Sequence, residues 1–400
     1  MDRINISLYD FEKKNEIRDE KIMISNTENE INLKYEQGEA RIITEQGAYK
    51  LSILPKIFEQ ENYKLRPDFQ RRITWDDKKR SKLIESFIMN IPIPPVFIYE
   101  KDYDNYEVMD GLQRISTIID FYTNKFKLIG LEEWKELNGR TYSNLPQKVK
   151  EGIDRRQLST ITLLKESAKN DIQAQNMKKM VFERLNTGGV QLKEQEIRNA
   201  LYDGPFNKLC IKLSECNNFR KLWGIIEYHD IAEENITDNE EAAKFVKNKL
   251  YMRMYDVELV LRYFAMRNIN NYAGKLSAYL DECLIKGNLY TDLQLNQLES
   301  CFLDCIDKAN TLFGDKAFCM FTEIRGKKQW SSPLNMVYDA MMLSLSLGNI
   351  EIKSENNAEQ NIEKLKKTYE GNGILFDGKK QSKNDIIERA HFLYAFIKSL

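Results

Sequence analysis

The chain has few of the residues that common catalytic and metal-binding motifs require. Its 400 residues include two histidines, far apart at His229 and His391, and six cysteines, none of them in a Cys-x-x-Cys pair. A His/Cys zinc site, a Ser-His-Asp or Cys-His catalyst and an HNH nuclease are therefore not expected. Cys301 and Cys305 share a helix face, and we expect them to be buried free thiols in a reducing cytoplasm.

Long apolar runs and an excess of charge are lacking as well. No apolar run reaches the ~18 residues of a membrane span, and the first residues contain no apolar signal core. Lys and Arg number 60 against 61 Asp and Glu, so the formal net charge of −1 gives no global positive field for nucleic acid or anionic membrane. We expect a cytoplasmic protein without a membrane partner. A local basic patch for DNA stays open.

Known nucleotide and hydrolase fingerprints are also absent. The sequence contains no GxxxxGK[ST] and no GxSxG or HExxH motif, and no GxGxxG follows a strand. A P-loop, a dinucleotide-binding domain, an α/β-hydrolase and a zincin are therefore excluded as interpretations.

The hydrophobic pattern changes near residue 165. Before it, short β-branched segments alternate with amphipathic helices, and after it the pattern is almost entirely helical. Since 400 residues exceed one typical core, two domains are expected. We predict an α+β protein with a mixed domain over 1–165, of which 1–40 are weakly patterned and partly mobile, and a helical domain over 166–400. One long helix is predicted over 247–268.

The stretch EVMDGLQRIST, residues 107–117, ends a predicted strand and begins a predicted helix. Asp110 and Gln113 have the spacing of a capping box, and Gly111 permits a tight turn. The same corner suits phosphate, because a helix start offers free N–H groups and Arg114 can grip two oxygens. Asp110 would then hold Mg²⁺ or orient water, and Gln113 would contact water or a ribose hydroxyl. Both interpretations stay open.

Two other segments contain residues of a similar kind. FQRRITW contains Gln70, Arg71 and Trp75, and FERLNTGG contains Arg184 and Asn186. Taken alone, the first segment is explained equally well by surface arginines and a core tryptophan, and the second is better explained by an ordinary helix C-cap.

In this order, PDFQRRITW, EVMDGLQRISTIIDFY, VFERLNTGGVQLKEQEIRNALY and DVELVLRYFA resemble the N-terminal domain of GmrSD-type, modification-dependent restriction enzymes. The resemblance extends over roughly residues 40–400. That family is similar to the ParB/sulfiredoxin fold, in which a strand-to-helix corner with an arginine holds nucleotide phosphates. Its corner motif is DGQQR, and here it is DGLQR, with Leu112 in place of the first Gln.

The resemblance implies a bacterial anti-phage or restriction-type defence protein that binds a nucleoside triphosphate, GTP or ATP, with Mg²⁺ and is a candidate NTPase. DNA and a separate nuclease or defence-system subunit are implied partners. Carried over by position, the catalytic residues would be Asp110, which would also bind the metal, Gln113 and Arg114. The nucleotide contacts would be Gln70, Arg71, Trp75, Gly111, Arg184 and Asn186.

Two alternatives stay open. One is a ParB-like DNA nickase or nuclease. The other is a non-catalytic sensor that binds a nucleotide without turnover and regulates a partner nuclease, which Leu112 in the motif would suit.

Overall fold

The computed structural model describes residues 9–13, 42–64, 75–167, 171–185, 193–225, 249–272, 274–347, 350, 352, 357–371, 373–376 and 382–400. These residues form two compact units. The N-terminal unit lies within Asp19–Asp203, and the helical unit lies within Met1–Arg18, Gly204–Glu233 and Glu240–Leu400. The division predicted at residue 165 stays a prediction. The expected mobility of residues 1–40 concerns a stretch that, except for 9–13, lies outside the described residues.

Strands and helices alternate along the N-terminal unit. Its strands are β1 (Thr44–Lys50), β2 (Tyr63–Lys64), β3 (Val96–Asp102), β4 (Asn105–Asp110) and β5 (Gln157–Leu163). Its helices are α2 (Leu54–Phe58), α3 (Asp77–Ile88), α4 (Leu112–Tyr122), α5 (Gln147–Asp154), α6 (Asp171–Leu185) and α7 (Glu194–Leu201).

The described strands of this unit form a five-stranded sheet in the order β1-β5-β3-β4-β2. β3 and β4 form the hairpin that their spacing predicts, and it closes at Asp102 opposite Asn105. β5 runs parallel to β3 on its other side, β1 is antiparallel to β5, and β2 is parallel to β4. The sheet is therefore mixed, and together with the helical remainder it confirms the α+β class. The similarity to the ParB/sulfiredoxin fold stays a prediction that the family resemblance implies.

One apolar core joins this sheet to its helices. The inward side chains of α3 and α4 recur at the helical spacing, so each helix presents an apolar stripe to the strands. The main contributors are Leu83, Ile84, Phe87, Val96, Ile98, Val108, Ile115, Ile118, Phe121 and Leu158. Leu112, at the position where the family motif has Gln, belongs to the same core and is 8% exposed. The Leu112 side chain thus packs against apolar side chains of the core. Whether residue 112 is polar or apolar therefore gives no information about the surroundings of Arg114.

The helical unit has a different make-up. Its helices are α1 (Asp10–Lys13), α8 (Pro205–Ser214), α9 (Asn217–Trp223), α10 (Lys249–Met252), α11 (Tyr255–Arg267), α12 (Leu276–Gly287), α13 (Asp292–Phe313), α14 (Asn335–Leu345), α15 (Ala358–Gly371) and α16 (Lys383–Lys398). A hairpin of β6 (Phe321–Ile324) and β7 (Lys327–Trp330) interrupts them. In the described part of the chain, no helix has both the length and the apolar composition of a membrane span.

Two features of this unit differ from the sequence prediction. The single helix predicted over 247–268 is wrong in its described part, because Met254 adopts a left-handed φ of 54° between α10 and α11. The apolar pattern continues across that break, so periodicity did not show it. The β6–β7 hairpin turns at Arg325 and Gly326, which have φ values of 54° and 76°. Its strands are short and largely polar, so they lack a clear alternation of apolar residues.

The burial of Leu112 generates a prediction about stability. Leu112→Gln restores the family motif but places an amide among apolar side chains, so it should lower the free energy of unfolding by about 1–3 kcal/mol. Leu112→Met is the matched control, because it conserves volume and should cost less than ~1.5 kcal/mol. Urea unfolding of both variants measures the difference. A Gln variant as stable as the Met variant would mean that the side chain faces a polar site.

Candidate functional site

The strand-to-helix corner depends on a glycine. β4 ends at Asp110, α4 begins at Leu112, and Gly111 between them has φ of 98°. A Cβ atom on Gly111 would lie 2.3 Å from Cγ1 and 2.8 Å from Cβ of Val96, at the start of β3. Any L-residue would therefore meet both backbone strain and a steric clash.

The predicted capping box of Asp110 and Gln113 is wrong. The N-cap of α4 is Gly111, and Asp110 is still the last residue of the strand. The left-handed conformation of Gly111 begins the helix one residue later than the capping-box spacing assumes. Gly111 has no side chain, so the N-cap residue itself supplies no cap to the first N–H groups of α4.

Arg114 is fixed in place on this first turn. Its Nη2 donates to Oδ2 of Asp110 at 2.5 Å, and its Nη1 donates to the carbonyl oxygens of Pro94 at 2.6 Å and Pro95 at 3.3 Å. The Arg114 side chain is 13% exposed and that of Asp110 is 46% exposed. One edge of the guanidinium is therefore held by backbone, while the other pairs with a carboxylate that is free to turn toward solvent.

This geometry is suited to anions and to a metal that accompanies them. A phosphate oxygen can replace the Asp110 carboxylate on Nη2, and the α4 dipole favours a negative charge at the same place. Among the described residues, no group of three or more His, Cys, Asp or Glu side chains is arranged to hold a metal. A single half-exposed carboxylate nevertheless fits Mg²⁺, which proteins commonly bind through one or two carboxylates and the substrate phosphates.

The other predicted site residues lie in different surroundings. Trp75 precedes α3 and is half-buried against the core of the N-terminal unit. Arg184 is exposed near the end of α6. Gln70, Arg71 and Asn186 lie outside the described residues. The structure thus brings Asp110, Gly111 and Arg114 together.

The helix that contains Arg184 is attached to the strand that ends at Asp110. Lys178 on α6 donates to Oε2 of Glu107 on β4 at 2.8 Å, and Lys101 lies 3.4 Å from Oε1 of the same carboxylate. Burial alone raises the pKa of Glu107, but the charges of Lys178 and Lys101 and their hydrogen bonds outweigh it and hold the pKa below its usual value. The Glu107 carboxylate therefore stays charged at neutral pH, and its bond from Lys178 ties α6 to β4.

Sequence reasoning missed the residues that hold Arg114. Proline has no backbone N–H, so Pro94 and Pro95 cannot donate to a strand ladder, and their carbonyl oxygens accept from Arg114 instead. The signal for this in the sequence is weak, because 19 to 20 residues separate the two prolines from Arg114.

The close contact at Gly111 yields a paired prediction. Gly111→Ala should lower the free energy of unfolding by about 2–4 kcal/mol, from left-handed strain together with overpacking. Gly139→Ala is the control, since Gly139 has φ of 82° but nothing within 4 Å of an added Cβ. It should cost only about 1–2 kcal/mol. Equal losses in urea unfolding would contradict the contact with Val96.

Comparison with known proteins gives one family. Residues 54–202 match the model described as GmrSD restriction endonuclease, N-terminal domain. No curated protein and no solved structure matches the chain. The matched range includes β2 to β5, the corner and α6, and it supports a restriction or defence type of protein. The wider resemblance, beyond residue 202, stays a prediction. Residues 54–202 of this chain are therefore a domain that resembles the N-terminal domain of the GmrSD restriction endonucleases.

Proposed function

We propose that the corner at residues 110–114 binds the phosphates of a nucleoside triphosphate, GTP or ATP, together with Mg²⁺. The observation that carries the proposal is a nearly buried arginine on the first turn of α4, held by two backbone carbonyls on one edge and facing a half-exposed carboxylate on the other. The family match supports a restriction-type or defence protein as the setting.

Phosphate binding at this corner is an exchange of partners. The contacts of Arg114 Nη1 with the carbonyls of Pro94 and Pro95 keep the guanidinium oriented while Nη2 moves from Asp110 to a phosphate oxygen. The new bond to phosphate replaces a bond of the same charge-assisted kind to Asp110, so the exchange gains only the difference between the two. The helix dipole adds ~0.3–1 kcal/mol for an anion at the start of α4. The displaced Asp110 carboxylate then needs a new cationic partner.

Mg²⁺ is the partner that we propose for Asp110. When bound, the metal neutralises phosphate charge and polarises the phosphoryl group. Asp110 would hold it from the protein side, and Gln113, half-buried on the same turn as Arg114, would orient the attacking water or a ribose hydroxyl. Further nucleotide contacts are proposed for Gln70, Arg71, Trp75, Gly111, Arg184 and Asn186.

A nucleotide-dependent sensor is the second candidate. Without a ligand, Asp110 forms an ion pair with Arg114. If Asp110 binds the metal, it is not available as a general base. Binding without turnover, relayed to a separate nuclease or defence-system subunit that acts on DNA, is therefore also consistent with the corner. Phosphate release separates the two: a hydrolase releases inorganic phosphate in proportion to bound nucleotide, and a sensor does not.

Titration with fluorescent GTP and ATP analogues, with and without Mg²⁺, tests the proposal. Arg114→Lys keeps the charge but cannot donate to the backbone carbonyls and to a phosphate from two fixed nitrogen atoms. It should therefore weaken nucleotide binding at least about tenfold, or ~1.4 kcal/mol. Asp110→Asn keeps a hydrogen-bond acceptor for Arg114 and should remove the effect of Mg²⁺ on affinity.

The matched control is Arg140→Lys, since Arg140 is exposed and, among the described residues, its side chain donates only to the Asn144 carbonyl. It should bind nucleotide as the unmodified protein does. Far-UV circular dichroism checks that every variant is folded. Unchanged affinity in folded Arg114→Lys would overturn the site.

A further inference from the structure

A second cluster of reactive groups lies in the helical unit, around Cys301 on α13. Nη1 of Arg267 donates to the Cys301 sulfur at 3.0 Å, and the Tyr263 hydroxyl lies 3.2 Å from the same atom. Cys301 is partly exposed, whereas Arg267 is 1% exposed. A buried cation thus donates to the sulfur of a partly exposed cysteine, and a tyrosine hydroxyl lies within hydrogen-bond distance of the same sulfur.

The cation is held in a fixed orientation. Nε and Nη2 of Arg267 donate to the two carboxylate oxygens of Glu12 at 3.0 and 2.8 Å, and the Glu12 side chain is 6% exposed. The backbone N–H of Tyr9 and the side-chain amide of Asn268 fasten the Glu12 segment. The bidentate pair leaves Nη1 directed at the sulfur.

These neighbours favour the charged form of the thiol. A hydrogen bond from Cys305 and, against the opposing effect of burial, the charge of Arg267 and a hydrogen bond from Tyr263 lower the pKa of Cys301 to about 6. The titratable groups that face it are Arg267, Tyr263, Cys305, Glu12 and Tyr9. Burial raises the pKa of Cys283 on α12 to about 12, so Cys283 and Cys301 differ in the fraction of thiolate at neutral pH.

We propose that Cys301 is a covalent modification site, a thiolate poised by Arg267 and Tyr263 to react with hydroperoxides and alkylating agents. With a hydroperoxide, the sulfur attacks the terminal oxygen, an S–O bond forms and the O–O bond breaks. The sulfur is oxidised by two electrons to a sulfenic acid, and the peroxide is reduced to water or an alcohol after protonation of the leaving oxygen. The thiolate is the nucleophile in both reactions.

Peptide mapping by mass spectrometry after iodoacetamide labelling of the full chain tests this directly. At about pH 7, Cys301 should be alkylated much faster than Cys283, and its rate should rise with a midpoint near a pH of about 6. Hydrogen peroxide followed by dimedone should place the adduct on Cys301, and Cys301→Ser should lose it. Labelling of Cys301 that is no faster than labelling of Cys283 would overturn the proposal.

A pair of tyrosine variants separates the charge environment from simple exposure. Tyr263→Phe keeps the ring but removes the hydroxyl beside the sulfur, so the midpoint of Cys301 labelling should shift to higher pH and its rate at about pH 6 should fall several-fold. Tyr279→Phe is the control, because the Tyr279 hydroxyl donates to the backbone of Ala265 and Asn268. Equal rates in both variants would mean that the hydroxyl does not set the reactivity.

Discussion

The N-terminal unit depends on the close approach of two strands at Gly111. Because this residue has no side chain and adopts a left-handed φ, the start of β3 at Val96 can lie against the turn that leads into α4. The same approach brings the carbonyls of Pro94 and Pro95 within reach of Arg114. One contact between backbone segments thus fixes the end of β4, the start of α4 and the arginine that the proposed site needs.

That constraint also determines how a ligand would bind. Arg114 has its charge satisfied by Asp110, so an incoming phosphate gains only the difference between two charge-assisted hydrogen bonds. A divalent cation changes this balance, because it gives the released carboxylate a partner and binds the phosphates at the same time. Under the proposal, nucleotide affinity should therefore depend on Mg²⁺, because without the metal a phosphate only replaces Asp110 on Arg114.

Much of the N-terminal unit could be predicted because its signals are local. Alternating and helical periodicities located the β3–β4 hairpin, α3, α4 and β5, and the order of short motifs predicted the resemblance that the family model matches over residues 54–202. The capping box failed because a left-handed glycine shifts the start of a helix by one residue without changing its apolar pattern. The motif comparison also gave no signal that Leu112 belongs to the core, since a motif position does not show whether its side chain faces the core or the ligand.

Other features had no local signal. The carbonyl partners of Arg114 are distant from it in sequence. Glu12 and Cys301 are likewise distant from Arg267. Only the fold brings these residues together, so the sequence alone does not show that they interact. The break at Met254 lies within an uninterrupted apolar pattern. Helical periodicity is therefore informative about which face is buried, and much less informative about where the chain bends.

The central claim is that Asp110 and Arg114 form a closed pair that phosphate and Mg²⁺ open. A crystal structure of the protein with a non-hydrolysable nucleoside triphosphate and Mg²⁺ tests it most directly. We predict Arg114 Nη2 on a phosphate oxygen, Asp110 on the metal, and the contacts to the Pro94 and Pro95 carbonyls retained. An intact Asp110–Arg114 pair, with the nucleotide bound elsewhere or not at all, would contradict the claim.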